Sequence, residues 1–269
     1  VCPSQTEMRS LFGVTRSAVH TLNYNLASRT MGNCLSSTSR SSGSRRIATS
    51  ATSALPPTEL ILNYWLGGDG AQFRQLWDPC TTPSNQSKWF GKSDETDMEI
   101  KTMFGAEVDR LPEIITAVSS PSGTVDDTVA AIILGDQMSR NIYRGSKSMY
   151  RWDSIVLPLA KSLLADEDAF MARLPLTFKL FTLLPLMHSE EVGDQRACVA
   201  WVERVREAVP EGEEGKAAAE FLVGMTKYAK SHCEIVERWG RFPHRNEILG
   251  RESTEAEARG LADGTIVGF

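Results

Sequence analysis

The densest group of chemically useful side chains lies in the stretch HCEIVERWGRFPHRNEILGR, which places Arg241, His244, Arg245, Asn246 and Arg251 around Pro243, with His232 at its start. The planar guanidinium fork is suited to carboxylates and phosphates, and imidazole exchanges a proton near neutral pH. Together they have the makings of an anion site with a proton-transfer group. Pro243 must end any helix arriving from His232, so His244 and Arg245 turn out of that helix's line.

Two earlier stretches carry complementary groups. LGDQMSRNIYRG contributes Asp136, Arg140, Asn141 and Arg144, and LPLMHSEEVGDQ contributes His188, Glu190 and Gln195. At 100° per residue Val129, Ile132, Ile133, Asp136, Arg140 and Tyr143 share one helical stripe, and Gln195 aligns with Val199 and Val202. Phe221, Met225, Tyr228, His232, Ile235 and Trp239 form a third stripe, and His188 ends an apolar helix beside Leu184 and Met187. Polar groups on apolar faces are costly unless paired. Four segments that each place such groups near one end of a stripe are explained together if those groups meet in one pocket.

The roles expected are these. His188 and His244 move protons, oriented by Asp136 or Glu190; Arg140, Asn141, Arg144, Gln195, His232, Arg241, Arg245, Asn246 and Arg251 hold the ligand. Each residue also has a purely structural reading. Asp136 and Arg140 form an i,i+4 pair. His232 would be a hydrogen-bonded core histidine, and Glu190, Glu191 and Asp194 load a helix's first turn. The arginines would cap carbonyls or form a solvated face.

Other classes lack support. There is no Gly-rich phosphate loop, nucleophile elbow or HExxH, so no cofactor is assigned. His188, His232 and His244 lack diagnostic metal spacing, and no metal is expected. The five cysteines are scattered and read as free thiols. A net charge of -5 disfavours nucleic-acid binding, and no apolar run reaches the length of a membrane span.

The elements that must position these groups are helical. Thr58 is expected to cap a helix ending at Gly67-Gly68, followed by a Gly/Pro/Asn/Ser-rich connection through Trp77 and Asn85. Ser93 caps the next helix, and Thr124 with Asp127 forms a capping box. Further helices run from about Asp153 to Leu164, from Pro175 through Pro185 to His188, from Glu190 to Val209 and from Glu213 to Trp239. Gly240 is the natural residue to end the last of these, and Thr254 with Glu257 opens a short final one. Strand-period alternation is almost absent. The expected fold is all-α, as antiparallel helix pairs with short loops, in a single domain from residue 55 to 269.

At the polar motifs the chain resembles the family catalogued as domain of unknown function 924. The likeness rests on Leu134 to Gly145, Leu184 to Glu190, Asp194-Gln195 and Gly240 to Asn246 with Leu249-Gly250-Arg251. Ile61 to Gly67 and Trp89 to Lys92 resemble the family's opening, and the resemblance spans about 58 to 263. It implies a helical fold similar to tetratricopeptide repeats, an α/α superhelix, and brings no established reaction. Gly135, Met138 and Ser139 depart from the family pattern, which has Leu or similar, Phe and Pro there. The local helix geometry is where this chain is expected to differ.

Two functions compete. One is an enzyme or binder acting on a small anionic metabolite in a compact, enclosed pocket. The other is a scaffold holding an acidic peptide or a protein in the concave face of a helical superhelix. Oligomeric state is not legible.

Residues 1–54 differ in character from the rest. Glu7 is the lone acid against Arg9, Arg16, Arg29, Arg40, Arg45 and Arg46, with serine dominant from Ser36 to Ser53. Such a segment is expected to be disordered and reads as an organelle transit peptide. Met31-Gly32-Asn33-Cys34-Leu35-Ser36 also fits the myristoylation pattern for translation from Met31, with Gly32 the acylation site and Cys34 a palmitoylation candidate. The location is then cytoplasmic, organellar or lipid-anchored. If Gly32 is acylated, Gly32→Ala should move a fluorescent fusion from membranes to the soluble fraction; import indifferent to Gly32→Ala would identify a transit peptide instead.

Overall fold

The computed structural model describes residues 56–67 and 72–266, all of whose regular elements are helical. Gly32, Cys34 and the rest of the N-terminal segment lie outside those residues.

Local capping chemistry sets where most helices begin. α1 spans Thr58–Leu66. Thr58 is its first residue rather than its cap, because the Thr58 hydroxyl is turned to the Asp127 carboxylate. α2 (Pro83–Phe90) falls in what the sequence suggests is a connection. Its residues are poor helix formers, and its tertiary bonds explain its presence. Lys88 Nζ donates to the Tyr64 carbonyl, Trp89 Nε1 to that of Trp65 at 2.8 Å and Asn85 Nδ2 to that of Leu66 at 2.6 Å. These are the carbonyls that the end of α1 leaves without intrahelical partners. α2 thus forms because its side chains complete α1.

α3 (Asp94–Asp109) starts on Ser93, whose hydroxyl accepts from the Thr96 N–H at 3.3 Å. α4 (Leu111–Val118) follows directly, with Pro112 in its first turn. α5 (Val125–Ile132) opens on the expected box: Asp127 N–H donates to Thr124 Oγ1 at 3.1 Å and Thr124 N–H to Asp127 Oδ2 at 3.0 Å. α7 is Asp153–Leu164. α8 (Glu167–Arg173) is a further short helix, capped by Asp166 accepting from the Ala169 N–H at 3.0 Å. α9 is Leu176–His188, α10 Val192–Glu207 and α11 Glu213–Trp239. α11 ends where Gly240 takes the left-handed conformation at φ 71°. A tight turn at Pro243–Arg245 and α12 (Asn246–Leu249) lead to α13 (Glu255–Ala262), opened by the Thr254–Glu257 box.

Between α5 and α6 (Ser139–Ile142) the chain makes a π-helical turn over Ile133–Met138, and all six of its residues are buried. In a π turn the bonds run i→i+5, so the 100° wheel loses phase here. Gly135 permits the turn to sit where it does. A Cβ there would lie 2.4 Å from Val156 Cγ1 and 2.5 Å from Leu111 Cδ2. The departure of Gly135 from the family pattern therefore coincides with a real change of backbone.

The core centres on α9, apolar nearly all round and buried at every position except Leu184 and His188. It packs against α5, α7, α10 and α11. Its C-terminal end, carrying His188, meets the π turn.

Gly135→Ala should destabilise the protein by about 1–3 kcal/mol, the usual cost of forcing extra volume into a packed core. Urea unfolding of the two chains measures the difference, and a cost within error of zero would show that the turn does not depend on the missing Cβ.

Candidate functional site

Asp136 lies in the middle of the π turn and is 0% exposed. Three side chains meet it there. His188 Nδ1, from the end of α9, is 2.8 and 3.0 Å from the two carboxylate oxygens. Gln137 Nε2 donates to Oδ2 at 2.6 Å, and Arg140 Nη1 lies 3.5 Å from Oδ1. Arg140 also donates to the Asp136 carbonyl and forks onto Asp153 at 3.0 and 2.9 Å. The widened backbone explains why Arg140's shorter bonds go elsewhere than to the carboxylate expected to pair with it one turn away.

The charges follow from these contacts. Burial by itself pushes Asp136 upward, but His188, Arg140 and Gln137 outweigh it and hold the carboxyl well below the usual carboxylate range. Burial drives His188 downward and Asp136 restores only part of that shift, while Arg140 adds to it. The imidazole is therefore neutral at pH 7, and Arg140 balances the carboxylate. Because a carboxylate only accepts, the proton of His188 sits on Nδ1 and the lone pair on Nε2. That is the arrangement of an oriented general base. The ring keeps 16% exposure, so it is not sealed off.

The Pro243 turn brings its residues to the same place. Arg245 is 7% exposed and donates Nη1 to the His188 carbonyl at 3.0 Å. Its guanidinium stacks 4.3 Å from the Phe242 ring and 4.7 Å from Tyr150. Among the described residues it forms no ion pair, and its buried Nε has no hydrogen-bond partner. Burial, then Arg140, lowers its pKa. The histidine rings surround it: His188 and His232 are 6.3 Å apart, His232 and Phe242 5.6 Å, and Phe242 and His244 5.5 Å. His232 Nδ1 donates to the Tyr228 carbonyl at 2.8 Å. Burial, then His188, brings His232 down to about 3, and burial, then Arg245, brings His244 down to about 4.

Other residues expected at the site make structural bonds. Glu190 accepts a fork from Arg251 at 2.6 and 3.0 Å and takes the Phe242 N–H at 2.8 Å. Arg251 also donates to Asn246 Oδ1 at 3.0 Å, and Asn246 to Ser253. This clasp holds the Pro243 turn against α9. Arg241 forks onto Glu257 at 2.8 Å twice, outside the cluster. Asn141 and Arg144 both bind Asp97 on α3. Gln195 donates to the carbonyls of Met187 and Ser189 at 2.6 Å each, closing the end of α9.

Asp153, Tyr150, Gln137 and Phe242 belong to the cluster but were not singled out by sequence. Asp153 looks like an ordinary first-turn acid, and Tyr150 sits in a stretch without helical period. Among the described residues no three His, Cys, Asp or Glu side chains are grouped as metal ligands. No described helix is long and apolar enough to cross a membrane. A cleft of about 260 Å³ lined by Arg238, Trp239, Arg259 and Asp263, among others, shares no residue with the cluster.

Fold and site together define an all-helical protein with a buried His–Asp–Arg cluster. Residues 61–265 match the model of a family described as bacterial protein of unknown function (DUF924), and the chain belongs to that family. A solved structure of a protein of unknown function from Agrobacterium tumefaciens is similar at 26% identity and a TM-score of 0.53, covering 67% of this chain and 92% of that one. No curated protein is significantly similar to the chain.

The lowered pKa of His232 sets an acid limit on stability. A group whose folded pKa lies below its unfolded value near 6.5 contributes fully above that value, and its contribution is lost as pH falls toward the folded pKa of about 3. Between pH 7.5 and 5 this one residue should cost about 2 kcal/mol. His232→Gln should shrink the difference in unfolding free energy between those two pH values by that amount; equal differences in both chains would refute it.

Proposed function

We propose that the protein binds a small anionic metabolite at Arg245, with His188 as the general base or acid that acts on it. The observation that carries this reading is a buried guanidinium without a carboxylate partner, one hydrogen bond from the residue that holds the oriented imidazole. A buried charge left unpaired is strongly unfavourable. A protein that keeps one in a neutral-histidine surround has a use for its missing counter-ion. Asp136 fixes the His188 tautomer, Arg140 balances Asp136, and Asp153 and Tyr150 hold Arg140 in place. A peptide-binding scaffold has less support, since Arg144, Arg241 and Arg251 are already engaged by Asp97, Glu257 and Glu190 and leave no arginine-lined groove.

The test is thermal unfolding of the full chain across a panel of small carboxylates and phosphates. A ligand present at a hundred times its Kd should stabilise the protein by about 2.7 kcal/mol. Arg245→Met should abolish that gain while leaving the unliganded protein as stable as before or more so, because it removes an unpaired charge. His188→Gln should keep binding and lose any turnover. If no anion stabilises the wild-type chain, or Arg245→Met responds equally, the reading is wrong.

A further inference from the structure

Beside the polar cluster lies an apolar cleft of about 20 Å³, lined by Trp89, Phe90, Leu184, Phe221, Met225 and Gln137 among others. Its one polar member, Gln137, donates to the Asp136 carboxylate. Cleft and cluster are therefore joined by a single hydrogen bond. The helical register says the same. Leu184 precedes His188 by four residues on α9, and Met225 precedes His232 by seven on α11. Each pair lies on one face, one or two turns apart, which is roughly 6–10 Å. α9 and α11 pack on each other, so the cleft continues along the line of the two imidazoles. Leu184, Phe221 and His188 are all only half-buried, which leaves that line open at the surface, and Phe90 at its far end is 60% exposed.

From this we infer that the anion is a monocarboxylate with an unbranched apolar tail, its head on Arg245 beside His188 and its tail running past Leu184 toward Trp89 and Phe90. The inference rests on the Arg245 reading above and adds the substrate class. Volume and charge select this chemistry. A space of about 20 Å³ is little more than a water needs, so it admits a narrow chain and excludes a ring. Asp136 and Asp153 stand close to the head position, and a dianionic phosphate would meet more of their repulsion than a single carboxylate does. Arg140 is forked onto Asp153, which leaves one free guanidinium for one negative charge.

The experiment titrates the full chain with straight-chain carboxylates from acetate to decanoate and follows binding by calorimetry. Affinity should rise roughly fourfold for each methylene that enters the cleft and then level off as the tail passes Phe90. Leu184→Gln, at a half-buried position the fold tolerates, should flatten that dependence while leaving acetate unchanged; Phe221→Ser serves as a second variant with the same expected result. Arg245→Met should remove binding at every chain length. Affinity indifferent to chain length, with Arg245-dependent binding of short anions or phosphate intact, overturns this inference and leaves the anion site standing. Long carboxylates that bind Arg245→Met as well as wild type would be held by apolar contact alone, which also overturns it. Absence of Arg245-dependent binding by any anion removes both readings.

Discussion

A fully buried carboxylate is the constraint from which the rest of the site follows. Asp136 has no water to stabilise its charge, and removing a carboxylate from water costs several kcal/mol before any compensation. It stays ionised because three donors reach it from three directions: an imidazole N–H from the end of α9, an amide from its neighbour Gln137 and a guanidinium from α6. Each donor is fixed in turn. Gln195 closes the carbonyl end of α9 that carries His188. Asp153, at the start of α7, holds Arg140 in a two-point fork. One buried charge thus locks the ends of several helices together, and losing any one donor would leave part of the charge uncompensated.

The π turn makes this arrangement possible. An ordinary helix would present Asp136 and Arg140 one turn apart and let them pair directly. The wider turn instead buries Asp136 and Gln137 together and sends Arg140 mainly to Asp153 and to the Asp136 carbonyl. The carboxylate is then available to His188, and its effect passes to the imidazole as a fixed tautomer. Gly135 supplies the room, since any side chain there would run into Val156 and Leu111. Backbone geometry, packing and proton chemistry meet at one residue.

Much of the fold was legible in the sequence because its signals are local. Ser93, Thr124 with Asp127, Gly240 and Thr254 with Glu257 each declare a helix end through bonds to residues a few positions away. α2 was not legible, because the stretch from Pro83 to Phe90 is helical through bonds to the carbonyls of α1, some twenty residues back. Helical wheels found Asp136, His188 and His232, whose polarity conflicts with their apolar surroundings. They could not separate Arg245 from Arg241 or Arg251, since type and spacing are the same for all three. The difference lies in distant partners: Glu257 takes Arg241, Glu190 takes Arg251, and nothing takes Arg245. Glu190, read as a candidate for catalysis, is instead the anchor of the clasp.

That clasp bears on how the unpaired cation survives. Left to itself, a buried guanidinium would either draw in water or swing out to solvent. Glu190 and Arg251 prevent the second by fixing Phe242 at both its N–H and its carbonyl. Phe242 and Tyr150 then give Arg245 two aromatic faces that replace part of its lost hydration without neutralising it. The neighbouring imidazoles cannot serve as counter-ions, and their own burial keeps them uncharged rather than adding to the repulsion. The turn therefore holds a positive charge in a dry setting, stable enough to persist and far enough from satisfied to favour a ligand that completes it. Energy that would have gone into one more internal ion pair is held instead as affinity for an anion.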